Sequence, residues 1–64
     1  MKLYDLKKGD KIYEEVSDGS GFLIFDHLDG MYSYIRTEKG GVVHLSGDTP
    51  LEVHGDGYRI SNSL

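Results

Sequence analysis

The chain has 64 residues, no cysteine and a formal net charge of −4 at pH 7. This length allows one small domain, 1–64, and the lack of cysteine excludes a disulfide framework and a thiolate-bound metal cluster. No apolar run is long enough for a signal peptide or a membrane span, so we expect a cytoplasmic protein.

Charge is distributed unevenly along the chain. Residues 1–11 contain four lysines and two aspartates, whereas the rest of the chain contains nine carboxylates and three basic residues. An acidic surface repels phosphate backbones, so nucleic acid is a disfavoured partner.

Nine glycines divide the chain into short segments that are rich in β-branched and aromatic residues. None of these segments is long enough for an ordinary helix, so the sequence predicts an all-β domain of about five to six short antiparallel strands. In chain order the predicted strands are Lys11–Val16, Phe22–Leu28, Met31–Thr37, Val42–Leu45, Leu51–His54 and Tyr58–Ile60.

The strongest local signal is the dipeptide Asp29-Gly30 between two apolar runs. It predicts a β-hairpin with a two-residue type I′ turn, and the turn fixes the register of the two strands. The predicted pairs are Leu28 with Met31, His27 with Tyr32, Asp26 with Ser33, Phe25 with Tyr34, Ile24 with Ile35 and Leu23 with Arg36.

Alternation along the hairpin sorts its side chains onto two faces. The predicted core face consists of Phe22, Ile24, Leu28, Met31 and Ile35, around a hydrogen-bonded pair of Asp26 and Ser33. The opposite face consists of Leu23, Phe25, His27, Tyr32, Tyr34 and Arg36. Both faces are too apolar for solvent, so a chain without a helix must curl into a small barrel or bind a partner.

The segment Leu6–Ile12 contains a Gly-Asp-x-Ile turn that enters a strand, and the glycine-bounded loop Ser17–Gly21 and the long hairpin follow it. This order of elements, over roughly the first two-thirds of the chain, resembles the opening of SH3-like barrels, including the bacterial KOW type. The resemblance implies a small SH3-like β-barrel. For KOW modules it also implies binding to RNA or to ribosomal partners.

The second hairpin face predicts a binding site formed by Phe25, His27, Tyr32, Tyr34 and Arg36. Tyrosine and arginine combine apolar contact area with a hydrogen-bonding tip, and both are enriched in recognition patches. The competing interpretation is structural: these side chains form a second packed layer under the N-terminal segment, together with Tyr4 and Leu6.

Motifs for catalysis or metal binding are absent from the sequence. His27, His44 and His54 lie on separate predicted strands and lack the spacing of a metal-ligand motif, so we expect neither a metal site nor a cofactor. The chain also has no nucleophile elbow and no phosphate-binding loop. Since so short a domain rarely encloses a substrate pocket, we expect no small-molecule substrate and no enzymatic activity.

Two functional hypotheses follow from these patterns. The first is a non-enzymatic protein-interaction module that binds a protein partner or a second copy of itself through the aromatic hairpin face or a sheet edge. Its size and acidity are similar to those of phage and mobile-element proteins that modulate host proteins. The alternative is a KOW-like module that binds RNA or single-stranded DNA through its tyrosines and the cations Lys2, Lys7, Lys8, Lys11 and Arg36.

Calorimetric titration of the tag-free protein with zinc should give no site of micromolar affinity, because histidines on separate strands rarely converge. One site per chain, together with a raised melting temperature, would contradict this prediction.

Overall fold

The structure, a computed structural model, describes residues 1–14 and 21–61. A 3₁₀ helix, Leu3–Asp5, precedes the strands β1 (Lys11–Tyr13), β2 (Phe22–Asp29), β3 (Tyr32–Thr37), β4 (Val42–Val43), β5 (Leu51–His54) and β6 (Gly57–Ile60). The six strands form one sheet in the spatial order β4-β3-β2-β1-β6-β5. Among the described residues, no helix is long and apolar enough to cross a membrane.

The prediction of an all-β domain is confirmed, and each predicted strand is found at its expected place. Val16, the expected end of the first strand, lies outside the described residues, as do residues 17–20 of the predicted loop. Two finer expectations are wrong. β1 and β6 pair in parallel, so the sheet is mixed, and β4 and β5 lie at opposite ends of a sheet that is not closed into a barrel.

The connection between β4 and β5 explains this departure, because it runs from one end of the sheet to the other. Near its start Ser46 forms a bridge with Tyr32 of β3, and at its end Pro50 forms a bridge with Lys2. Between these points its carbonyl groups accept hydrogen bonds from the N–H groups of the 3₁₀ helix. The N-terminal segment and this connection therefore cover the part of the core that strands would cover in a closed barrel.

The core combines side chains from the sheet with side chains from the segments that cover it. Its buried members are Leu3, Leu6, Ile12, Leu23, Phe25, Ile35 and Leu51, and Leu28, Val43, Leu45, Tyr58 and Ile60 pack against them. Burial of a side chain of this size stabilises a fold by about 1.5–3 kcal/mol. Two of the seven buried residues, Leu3 and Leu6, precede the first strand.

A β-bulge at Asp26 determines which side chains of β2 reach the core. Phe25 pairs with Ile35, whereas His27 pairs with Tyr34, the adjacent residue of β3. β2 therefore contains one extra residue, and the alternation of its faces shifts at that point. Phe25 is buried, while Asp26 and His27 both lie on the outer face.

The Gly-Asp turn of the N-terminal segment packs beside this bulge. The Lys7 N–H donates to Oδ2 of Asp10 at 2.9 Å, and the Asp10 N–H donates to the Lys7 carbonyl oxygen at 3.0 Å. The Gly9 N–H and the Asp10 carbonyl oxygen then bond to the backbone of Phe25, both at 2.9 Å. These contacts hold Phe25 against the segment that carries Leu6.

The predicted hairpin is confirmed, but its loop is shifted by one residue. Asp29 pairs with Tyr32, so the loop consists of Gly30 and Met31. Gly30 has a φ of +65°, and no described non-glycine residue has a positive φ. This is the φ pattern of a type II′ turn, in contrast to the predicted type I′. The shifted loop and the bulge together change every pair of the predicted register.

The predicted core face is therefore wrong in most of its members. Ile35 is buried and Leu28 packs against the core, but Phe22 and Ile24 are half-buried and Met31 is exposed. Leu23 and Phe25, predicted for the opposite face, are buried instead.

Ser33 is a buried polar residue with a partner other than the predicted Asp26. Its hydroxyl donates to the Leu45 carbonyl oxygen at 2.6 Å and accepts from the Leu45 N–H at 2.8 Å. Since a buried hydroxyl without a partner is destabilising, this exchange fixes the chain after β4 against β3.

We expect Gly30→Val to destabilise the protein by about 1–3 kcal/mol, because a β-branched residue is strained at a positive φ. No atom lies within 4 Å of an added Cβ at Gly30, so the loss would come from the backbone alone. Chemical denaturation measures it, with Lys39→Val, in another exposed turn, as the control. Equal midpoints for the two variants would show that the turn is wrong.

Candidate functional site

Four aromatic rings contact one another on the outer face of the sheet, and we call these residues, His27, Tyr32, Tyr34 and His44, the ring face. His27 stacks on Tyr34 with a centroid separation of 4.6 Å, and Tyr32 stacks on His44 at 4.4 Å. Tyr34 also meets Tyr32 and His44 edge-on, at 5.8 Å and 4.9 Å. The rings therefore form one continuous surface in the stacked and edge-on geometries that aromatic pairs prefer.

Three local features of the chain place these rings together. Tyr32 and Tyr34 are two residues apart on β3 and so share a face, and His27, which pairs with Tyr34, lies on the same face. His44 follows β4, and its Nδ1 lies 2.8 Å from the carbonyl oxygen of Ser33. A carbonyl oxygen can only accept, so Nδ1 donates this hydrogen bond and Nε2 is left for another partner.

A carboxylate with several partners borders the ring face. Oδ2 of Asp26 accepts from Nε of Arg36 at 2.9 Å, and Oδ1 accepts from Nδ1 of His27 at 3.2 Å. Nζ of Lys8 lies 3.9 Å from Oδ1. The hydrogen bond from Arg36, followed by that from His27, lowers the pKa of the Asp26 carboxyl below its ordinary value. An ionised Asp26 thereby orients both the His27 ring and the Arg36 guanidinium.

The structure brings four of the five predicted site residues to one face, namely His27, Tyr32, Tyr34 and Arg36. Tyr32 is 53% exposed and Tyr34 is half-buried. Phe25 is the exception, since it is 4% exposed and packs in the core. For Phe25 the competing interpretation, a packed layer under the N-terminal segment, is therefore correct. The bulge is the physical reason that Phe25 points into the core.

His44 is the member of the ring face that sequence reasoning missed as a binding residue. The turn between β3 and β4 could have indicated the position of His44, because it fixes the pairing of Arg36 with Val42. Continued by two residues, this register sets His44 opposite Tyr34. The predicted fourth strand could have been aligned in this way.

A second polar cluster lies on the other half of the sheet. The hydroxyl of Tyr13 donates to Asp56, and Nζ of Lys11 lies 3.8 Å from Oδ2 of the same carboxylate. This hydrogen bond raises the pKa of Tyr13 and lowers the pKa of Asp56. The ring of His54 meets the Tyr13 ring edge-on at 5.5 Å, so His54 lies apart from the ring face. Within residues 1–14 and 21–61, no three histidine or carboxylate side chains are placed to hold a metal ion.

Comparisons with protein-family models, with curated proteins and with solved structures give no significant match. The resemblance to SH3-like barrels stays a prediction, and the function of the ring face has to be argued from its geometry.

The low pKa of Asp26 predicts a pH-dependent contribution to stability. A carboxyl whose pKa is lower in the folded state stabilises the fold above its unfolded pKa, and this contribution is lost as the pH falls through the folded pKa. Asp26→Asn should therefore be less stable than wild type at neutral pH, and the difference should vanish in acid. Urea denaturation at a series of pH values measures it. A difference that does not change with pH would contradict the assigned contacts.

Proposed function

We propose that this chain is a non-enzymatic interaction module that binds a protein partner through the ring face. The observation that carries the proposal is that these four rings stay on the outer face although the core is filled without them. A contiguous exposed patch of this composition is typical of an interaction site. Tyr32, which is 53% exposed, is its most accessible tyrosine.

The stacking of the rings supports binding because it fixes them in advance. A side chain that is already ordered loses less conformational entropy when a partner covers it, and tyrosine has few torsions to lose. Each tyrosine also keeps a hydroxyl group for a hydrogen bond, and His44 keeps Nε2. The ring face thus combines apolar area with directional polar groups.

The charge of the chain favours a neutral or basic partner surface. The net charge is −4, and opposite charge on a partner accelerates encounter. A cytoplasmic modulator of a host protein, which the size and acidity suggest, is one form of this proposal.

A nucleic-acid partner is the second candidate, because exposed rings can stack on unpaired bases. Its difficulty is that three of the five cations expected to bind the phosphates lie beside carboxylates. Arg36 and Lys8 both lie beside Asp26, and Lys11 lies beside Asp56. Each of these cations is thus partly neutralised by a carboxylate, and counterion release to a phosphate backbone would be weak.

The test compares two tyrosines of similar exposure, Tyr32 on the ring face and Tyr4 in the 3₁₀ helix, which are 53% and 50% exposed. Tyr32→Ala and Tyr4→Ala are immobilised beside wild type and exposed to nuclease-treated extract of the source cells. A protein retained by wild type and Tyr4→Ala, but lost from Tyr32→Ala, is then purified and titrated against all three. We expect Tyr32→Ala to weaken that direct binding by roughly tenfold or more.

Equal binding by the two variants would contradict the proposal. The nucleic-acid alternative predicts a different result: affinity for a single-stranded oligonucleotide that Tyr32→Ala weakens and that falls steeply as salt concentration rises. Apolar association with a protein should change little over the same range of salt.

A further inference from the structure

The two outer strands of the sheet differ in how their free edges are covered. β4 and β5 are the terminal strands, and each pairs with one neighbour only. A free edge carries N–H and C=O groups that can pair with another strand, and monomeric proteins usually block such edges with charged residues, proline or covering segments.

The β5 edge is blocked where the strand begins. The Leu51 N–H donates to the Met1 carbonyl oxygen at 2.8 Å, and Lys2 forms a bridge with Pro50. Glu52 adds a charge on this strand, and its Oε1 lies 3.3 Å from Nε of Arg59. The N-terminal segment, a proline and the charge of Glu52 therefore protect the start of β5, whereas Val53, further along the strand, is 73% exposed.

Among the described residues, no charged side chain, proline or covering segment lies along the β4 edge, although β4 itself is only Val42–Val43. The carbonyl oxygens of Gly41 and Leu45 accept hydrogen bonds from Thr37 and Ser33 of β3, so alternate residues of this stretch face β3. The residues between them, Val42 and His44, therefore direct their N–H and C=O groups away from the sheet. The backbone of His44 makes no hydrogen bond to any described residue.

The amino-acid composition of this edge also allows another strand to pair with it. The residues from Gly41 to Gly47 include no charged residue and no proline, although the chain as a whole carries eleven carboxylates. Val42 is 52% exposed. An uncharged edge of β-branched residues is a template for strand pairing.

We propose that two copies of this chain pair through their β4 edges as antiparallel strands about a two-fold axis at Val43. This register sets Val42 of each copy opposite His44 of the other. Every outward N–H and C=O group of Val42 and His44 then has a partner. The pairing extends the sheet across both copies and does not depend on what the ring face binds.

A second copy is the occupant that this edge fits, because the stretch is complementary to itself. Gly41 of one copy lies opposite Leu45 of the other, and the absence of a side chain at Gly41 leaves space for the leucine. Val43 meets Val43 of the second copy on the core side. No carboxylate lies within the paired stretch, so the repulsion between two chains of charge −4 acts from a distance.

This arrangement has a consequence for the ring face. A two-fold axis perpendicular to a sheet leaves equivalent faces on the same side, so both ring faces would lie side by side. His44 of each copy would be next to Val42 of the other, and the two ring faces would become one surface of twice the area.

Proline substitution at the two edges tests the pairing. Val42→Pro removes an outward N–H group at the β4 edge, and Val53→Pro removes the equivalent group at the β5 edge, so neither loses a bond within its own sheet. Sedimentation velocity is measured for wild type and both variants over a roughly hundredfold range of concentration. We expect wild type and Val53→Pro to form dimers reversibly, and Val42→Pro to remain a monomer.

A third variant and a second readout guard against a folding defect in Val42→Pro. Val42→Lys places a charge on an exposed side chain, as natural sheet edges do, and should also be monomeric with an unchanged circular dichroism spectrum. In wild type, amide exchange at Val42 and His44 should slow as the concentration rises. Screening of the net charge should strengthen the dimer at higher salt.

A wild-type chain that is monomeric over the whole range would overturn the proposal. Dimers that survive in Val42→Lys, or that Val53→Pro disrupts equally, would also overturn it. Loss of the dimer in Tyr32→Ala would place the contact on the ring face rather than on the edge.

Discussion

The extra residue of β2, Asp26, is the local feature on which the rest of the sheet depends. Without it, side chains would alternate from Phe22 to Asp29 without interruption, and Phe25 and His27 would share a face. With it, Phe25 enters the core, whereas His27 lies outside, stacked on Tyr34 at 4.6 Å. One insertion thus separates a core aromatic residue from an exposed one. The same residue supplies the carboxylate that orients His27 and Arg36.

The bulge is stabilised from both sides of the sheet. On one side, the turn at Gly9 and Asp10 bonds to the backbone of Phe25 and carries the chain from Leu6 into β1. On the other side, the side chain of Asp26 accepts hydrogen bonds from Arg36 and His27. A bulge that both packing and hydrogen bonds support is a defined feature of the fold, and such bulges commonly redirect side chains near functional surfaces.

The sequence contained enough information for the strands but too little for the register. Strand positions follow from local composition, such as the β-branched and aromatic run of β3, and the glycine at position 30 marks the hairpin. The bulge leaves a weaker signal, which is a carboxylate, Asp26, at a position that uninterrupted alternation sets on the core face. The bulge buries Leu23, which alternation predicts for the opposite face, and the shifted loop exposes Met31, which alternation predicts for the core face. The tyrosines were placed correctly because both lie on β3, where the alternation is uninterrupted.

The pairing of Ser33 across the hairpin is the most direct test of this account. Leu28 lies opposite Ser33, whose N–H donates to Leu45 of the next strand, so Leu28 and Ser33 form a non-hydrogen-bonded pair in which the Cα atoms approach closely. Phe25 bonds to Gly9 and Asp10, so Phe25 and Ile35 form a second such pair, one residue out of register with the first. Nuclear Overhauser spectroscopy of the labelled protein should therefore give strong Hα contacts both between Leu28 and Ser33 and between Phe25 and Ile35, a combination that requires the bulge. A strong contact between the Hα protons of Asp26 and Ser33 instead would mean that β2 has no bulge, and Phe25 would then share the ring face with His27.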